Sequence, residues 1–111
     1  MSASPEPCRL EANVYGTVYR FRPLPGKEED ILDYHRRWKA ERWPHVSGFV
    51  TEYIYRSASK PGEYVGAAVF ESKEAMERIS RDPETDRWYR QIRALLEAEP
   101  EWDDGPNVFD Y

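Results

Sequence analysis

The chain has too few cysteines and histidines to build a disulfide framework or an evident metal centre. Its one cysteine, Cys8, has no internal partner, which suits a reducing cytoplasm. It sits in the Pro/Ser-rich stretch MSASPEPC, where a passive thiol is expected rather than a nucleophile. The two histidines, His35 and His45, show no paired ligand spacing, so there is no zinc or iron motif. The six glycines are scattered, which leaves no phosphate-cradling loop, and no G-x-S-x-G elbow is present. Any chemistry is therefore expected to need neither metal nor bound cofactor. No apolar run approaches the roughly 18 residues of a membrane span. The first residues lack the charged and apolar regions of a signal peptide, so a cytoplasmic protein without a membrane partner is expected. Basic residues are outnumbered, 16 against 21 acidic, for a net charge of -5. The two signs interleave along helices as on solvated faces. Nucleic acid, which calls for a basic stripe, is set aside as a partner.

What the chain does have is aromatic mass: 14% of its 111 residues, with 8 Tyr and 4 Trp. That length suits one compact domain with a modest core. Rings at this density fill a core, wall a cavity or cover an interface.

Residues 1–12 read as a flexible lead-in, because Pro5 and Pro7 disfavour regular structure. The domain proper is expected over 13–111. Val14 to Arg22 is rich in β-branched and aromatic residues and forms a first strand, with Tyr15, Thr17, Tyr19 and Phe21 on one face. A helix follows over 27–42. Acids crowd its start and bases its end, as the helix dipole favours, and Ile31, Tyr34 or His35, and Trp38 form its stripe. Gly48 to Arg56 and Tyr64 to Phe70 read as a hairpin around Lys60-Pro61-Gly62. Gly66, Ala67 and Ala68 leave space above the sheet for a ligand or another chain. Ser72 caps a short helix through Ile79. Asp82-Pro83 starts another, with Trp88, Ile92, Leu95 and Leu96 buried and Pro100 at its end. Asn107 to Tyr111 reads as a last strand after an Asp104-Gly105-Pro106 turn.

The order strand, helix, strand, strand, helix, strand is the ferredoxin-like split βαβ arrangement. It predicts an α+β domain with one four-stranded antiparallel sheet and helices on one face. Large side chains lie on both faces of the strands (Tyr15/Val18, Tyr53/Ile54), so the helix-free face needs a cover. A second copy, packed sheet to sheet, would supply it, and a homodimer is expected on that ground alone.

Among candidate functional residues His35 comes first. It lies four residues after Ile31 and three before Trp38, at or beside the inner face of its helix. There it could accept a proton from a phenol near neutral pH, although a half-buried structural histidine would sit in the same place. His45 belongs to a loop and is expected to be solvated. Tyr15, Tyr19, Tyr53 and Tyr55 follow the strand period and could line a cavity, where a phenolic hydroxyl positions a substrate oxygen. Core or interface rings would show the same spacing. Trp38, Trp88 and Phe70 fit a core as readily as a substrate platform.

Three segments together carry a family resemblance: Val18-Tyr19-Arg20-Phe21 followed by Pro-Gly-Lys-Glu-Glu-Asp, then Ser47-Gly48-Phe49-Val50, then Val69-Phe70-Glu71-Ser72-Lys73-Glu74-Ala75. Over about residues 14–111 the chain resembles the antibiotic biosynthesis monooxygenase (ABM) family of the dimeric α/β-barrel superfamily. The resemblance implies a dimer whose sheets form a barrel, with a pocket between sheet and helices in each protomer. It implies relatives that include cofactor-independent oxygenases of polycyclic phenols, quinol oxygenases and haem-degrading enzymes. Two departures matter. Phe70 stands where the family often has Trp. The Asn and His expected of the haem-degrading subgroup are missing, since Tyr19 lies near the first place and residues 72–98 hold no histidine.

The resemblance thus implies a small cofactor-independent monooxygenase acting on a phenol- or quinol-like aromatic. His35 would be base or hydrogen-bond partner and Tyr19 would orient the substrate. Trp38, Phe70 and Trp88 would wall the pocket, with Tyr15 and Tyr53 beside them. Two alternatives share the fold: an isomerase or lyase on a small carbonyl compound, and a non-catalytic, stress-linked dimer that binds a small molecule. Fold alone does not separate them.

Overall fold

The computed structural model describes residues 14–111. The expected lead-in over 1–12 and Cys8 lie outside the described residues. Four strands, β1 (Tyr15–Phe21), β2 (Phe49–Arg56), β3 (Tyr64–Phe70) and β4 (Glu101–Pro106), form one sheet in the order β2-β3-β1-β4. Every neighbouring pair is antiparallel. Three α-helices, α1 (Glu28–Arg37), α2 (Lys73–Arg81) and α3 (Pro83–Arg93), complete the α+β domain. This is the predicted ferredoxin-like topology.

Local chemistry explains most of the boundaries. Glu28, Glu29 and Asp30 open α1 and His35, Arg36 and Arg37 close it, charges that suit the two ends of the helix dipole. The Ser72 hydroxyl accepts from the Ala75 amide at 3.0 Å and starts α2. The Asp82 carboxylate accepts from the Glu84 amide at 2.9 Å and starts α3. Caps of this kind are worth about 1 kcal/mol each. Asp82 also pairs with Arg42 at 2.9 Å, which fastens the segment before β2 to the α2–α3 junction.

Three boundaries differ from the sequence reading. The helix expected over 27–42 is regular only to Arg37. Trp38–Arg42 forms a wide i→i+5 turn, and a 3-10 turn follows at Trp43–His45. The wide turn brings Trp38 and Trp43 to the same side, with centroids 4.9 and 5.4 Å from the Phe49 ring. The last helix stops at Arg93 rather than at Pro100. The chain beyond it is drawn alongside the end of β1, where the Leu24 amide donates to Leu95 and the Glu97 amide to Arg22, both at 2.8 Å. The final strand is Glu101–Pro106 and not Asn107–Tyr111. Its apparent turn residues Asp104, Gly105 and Pro106 pair with Thr17, Gly16 and Tyr15. The Thr17 hydroxyl donates to Asp104 Oδ1 at 2.6 Å. An edge strand tolerates Gly and Pro because only one side of it must hydrogen-bond.

The core lies between the sheet and the helices. Tyr19, Phe21, Ile31, Tyr34, Trp88, Ile92 and Leu96 form its buried cluster. Each large apolar side chain removed from water contributes about 1.5–3 kcal/mol. The other sheet face has no described element over it. Val18 remains 44% exposed, Tyr53 59% and Tyr55 57%. No helix among the described residues is long and apolar enough to cross a membrane.

Candidate functional site

Between the helix-facing side of the sheet and the helices lies a cavity of about 210 Å³. Strand alternation sets its floor. Thr17, Tyr19 and Phe21 of β1 point into it, with Ala68 and Phe70 of β3 beside them. Tyr34 and His35 come from α1, with Trp38 just beyond its end. Trp88, Tyr89 and Ile92 come from α3, and Trp102 of β4 stands at the side. Trp102 is 52% exposed and its ring lies 4.7 Å from that of Tyr19. The wall is aromatic and largely apolar, with a few polar groups, as small-molecule sites usually are. Among the described residues no Lys or Arg lines it.

The polar centre of the cavity is a pair from two strands that are not neighbours. The Tyr19 hydroxyl on β1 donates to Glu52 Oε2 on β2. β3 lies between them, and the crossing is possible because the residue opposite Tyr19 is Gly66. A methyl group there would overlap the Tyr19 ring. The sequence reading kept the space over Gly66 for a ligand or another chain; the protein fills it with Tyr19.

Burial dominates the protonation of this site. It holds the Glu52 carboxyl above the usual carboxylate range, against a smaller opposing effect from the Tyr19 hydrogen bond. The Tyr19 phenol is pushed well above its ordinary value, first by burial and then by the charge of Glu52. His35 goes the other way, down to about 4, because burial disfavours its cation. Its Nε2 is buried and has no hydrogen-bond partner among the described residues. The imidazole meets the Tyr34 ring edge-on at 5.0 Å. Neutral at pH 7, this ring offers a hydrogen bond and no charge.

Of the residues singled out from sequence, Tyr19, His35, Trp38, Phe70 and Trp88 converge on this cavity. Tyr53 and Tyr15 do not line it. A bulge between Phe49 and Thr51 shifts the β2 register by one residue. Tyr53 therefore faces the open side, stacked on Tyr55 at 6.4 Å, and Glu52 and Ile54 turn inward. Without the bulge, Phe49, Thr51 and Tyr53 would share one face. Tyr15 sits at the sheet end, opposite Phe70 and Pro106. Glu52 is the functional candidate that sequence reasoning missed. No set of three or more His, Cys, Asp or Glu among the described residues is placed to hold a metal ion.

No protein-family model matches the chain, and no curated protein matches it closely enough to report. Solved structures do. A mutant form of SnoaB, a cofactor-independent oxygenase from Streptomyces nogalater, superposes with a TM-score of 0.75 at 22% identity, covering 89% of this chain and 97% of that one. A candidate antibiotic biosynthesis monooxygenase from Bordetella bronchiseptica superposes with a TM-score of 0.75 at 14% identity, covering 87% and 99%. Another from Chloroflexus aurantiacus gives 0.69 at 17% identity, covering 89% and 97%. The chain has the fold these proteins share.

Proposed function

We propose that this protein, built on the fold of the antibiotic biosynthesis monooxygenases, is a cofactor-independent monooxygenase of a small phenol- or quinol-like aromatic. The observation that carries the reading is an aromatic-walled cavity lined by both Tyr19, whose hydroxyl is paired with Glu52, and His35, whose buried Nε2 has no hydrogen-bond partner among the described residues. A flat phenol would stack among Trp38, Phe70 and Trp88, with its oxygen held by Tyr19 or His35. Taken from water and deprotonated, such a ring is electron-rich enough to react with dioxygen itself. With an unsubstituted para carbon the balance closes without a cofactor: phenol and dioxygen give quinone and water. One oxygen atom enters the ring, the other leaves as water, and all four electrons come from the substrate. A dry apolar cavity of about 150 Å³ takes up benzene, so 210 Å³ suits one ring or two fused rings.

The working unit in this reading is a homodimer. The open sheet face, with Val18, Tyr53 and Tyr55 exposed, would close against the same face of a second copy.

Oxygen uptake tests the function. A panel of one- and two-ring phenols and hydroquinones is incubated with the protein in air and under nitrogen. Uptake in air alone, with one atom of labelled dioxygen found in the product, supports the reading; quinone formed from a hydroquinone without the label does not. Turnover that continues under nitrogen selects an isomerase or lyase instead.

A further inference from the structure

We infer that Glu52 is the proton acceptor of this cavity and that Tyr19 is the relay through which it works: a bound phenol passes its hydroxyl proton to the Tyr19 oxygen while the Tyr19 proton moves to Glu52. The inference rests on the reading that the cavity takes phenols.

The geometry comes first. Tyr19 already donates to Glu52 Oε2, so its own proton points along the transfer path. The Tyr19 oxygen keeps lone pairs free to accept from a third group, and both residues line the cavity. The transfer breaks the substrate O–H bond, forms a new O–H bond on Tyr19 and places one proton on Glu52. No electrons change hands. At the end Tyr19 is again a neutral phenol, now donating to the substrate oxygen, and Glu52 donates to Tyr19. The negative charge formerly on Glu52 resides on the substrate, where oxidation needs it.

The other groups around the pair do not compete for the proton. From α1, Tyr34 and His35 face the cavity, and from α3, Tyr89. Tyr34 is pushed up by burial and by Glu52, and Tyr89 by burial and by Glu99, so both stay protonated. His35 at about 4 is a weaker base than a free imidazole. Arg37 stands behind the Tyr34 and Trp88 rings, 5.9 and 5.7 Å from their centroids, and reaches Gln91. The raised Glu52 carboxyl is closer to a phenol in proton affinity than an ordinary carboxylate is.

The test uses 4-nitrophenol, whose neutral and ionised forms absorb at different wavelengths, titrated on the wild type, Glu52→Gln, Glu52→Asp and Tyr19→Phe. Glutamine still accepts from Tyr19, so the fold should persist; Tyr19→Phe removes the relay independently. In the wild type the bound probe is expected to ionise below the pH at which it ionises in buffer. In Glu52→Gln that midpoint should rise by at least one unit, a tenfold loss of ionised probe. Tyr19→Phe should behave alike, and Glu52→Asp should recover part of the effect. Unchanged ionisation in Glu52→Gln overturns the inference, as does a wild type that leaves the probe as it is in buffer. If ionisation depends on Glu52 but no phenol consumes oxygen, the inference stands and the monooxygenase reading falls.

Discussion

Gly66 on β3 lies beneath the ring of Tyr19, its partner across the β1–β3 ladder, and the absence of a side chain there lets Tyr19 reach Glu52. Gly66→Ala forces a buried ring out of a packed position, which costs about 1–3 kcal/mol. The expected outcome is a lower denaturation midpoint together with loss of the Glu52-dependent ionisation of a bound phenol. An unchanged midpoint would mean that the ring moves aside freely.

His35 sets a second expectation. Its folded value of about 4 lies below the ordinary 6.5, so the unfolded chain binds more protons between those two values. The stability His35 contributes is complete above about pH 6.5 and is lost as the pH falls through about 4. Glu52 acts in the opposite direction. Its folded value is raised, so its contribution is complete below the ordinary carboxylate value and is lost as the pH rises through the raised one. NMR of the imidazole nitrogens should show His35 neutral down to about pH 4. In unfolding experiments, His35→Phe should flatten the acid side of the stability profile. A His35 that titrates near 6.5 would show that water reaches it.

The open sheet face gives a third. Val18 of β1 and Tyr53 of β2 are exposed on it. Charges placed at the centre of a sheet-to-sheet interface have no partner there. Sedimentation should find the wild type dimeric and the Val18→Glu/Tyr53→Glu double variant monomeric. A monomeric wild type would remove the dimer from the proposal.

The topology was legible because three kinds of local signal agreed: strand composition, helix-end charges, and the Ser72 and Asp82-Pro83 caps. The cavity's helical wall was legible too, since the spacing of Ile31, Tyr34 and His35 fixes one face of α1 and Trp38 follows that stripe just past the end of the helix. What escaped depended on partners distant in sequence. The β2 bulge is invisible in Gly48 to Arg56 read alone, and it alone decides whether Tyr53 or Glu52 faces the cavity. β4 looked like a turn because Asp104-Gly105-Pro106 has turn composition; pairing with β1 and the Thr17 hydrogen bond override it. Gly66 was rightly marked as making room, but its occupant comes from another strand.

The absence of Lys and Arg from the cavity wall, with Glu52 in place, makes it a sorter of molecules by charge. With Glu52 ionised before binding, as the proposed proton transfer requires, an aromatic acid entering it would give up its hydration and meet a second negative charge. Two like charges about 5 Å apart repel by about 3 kcal/mol at an effective dielectric constant near 20, more than a hundredfold in occupancy. On the proposed reading, benzoates and other acidic aromatics are expected to stay in water and neutral rings to partition in. Discrimination at this level needs no contact shaped to one substrate, so it precedes recognition by fit.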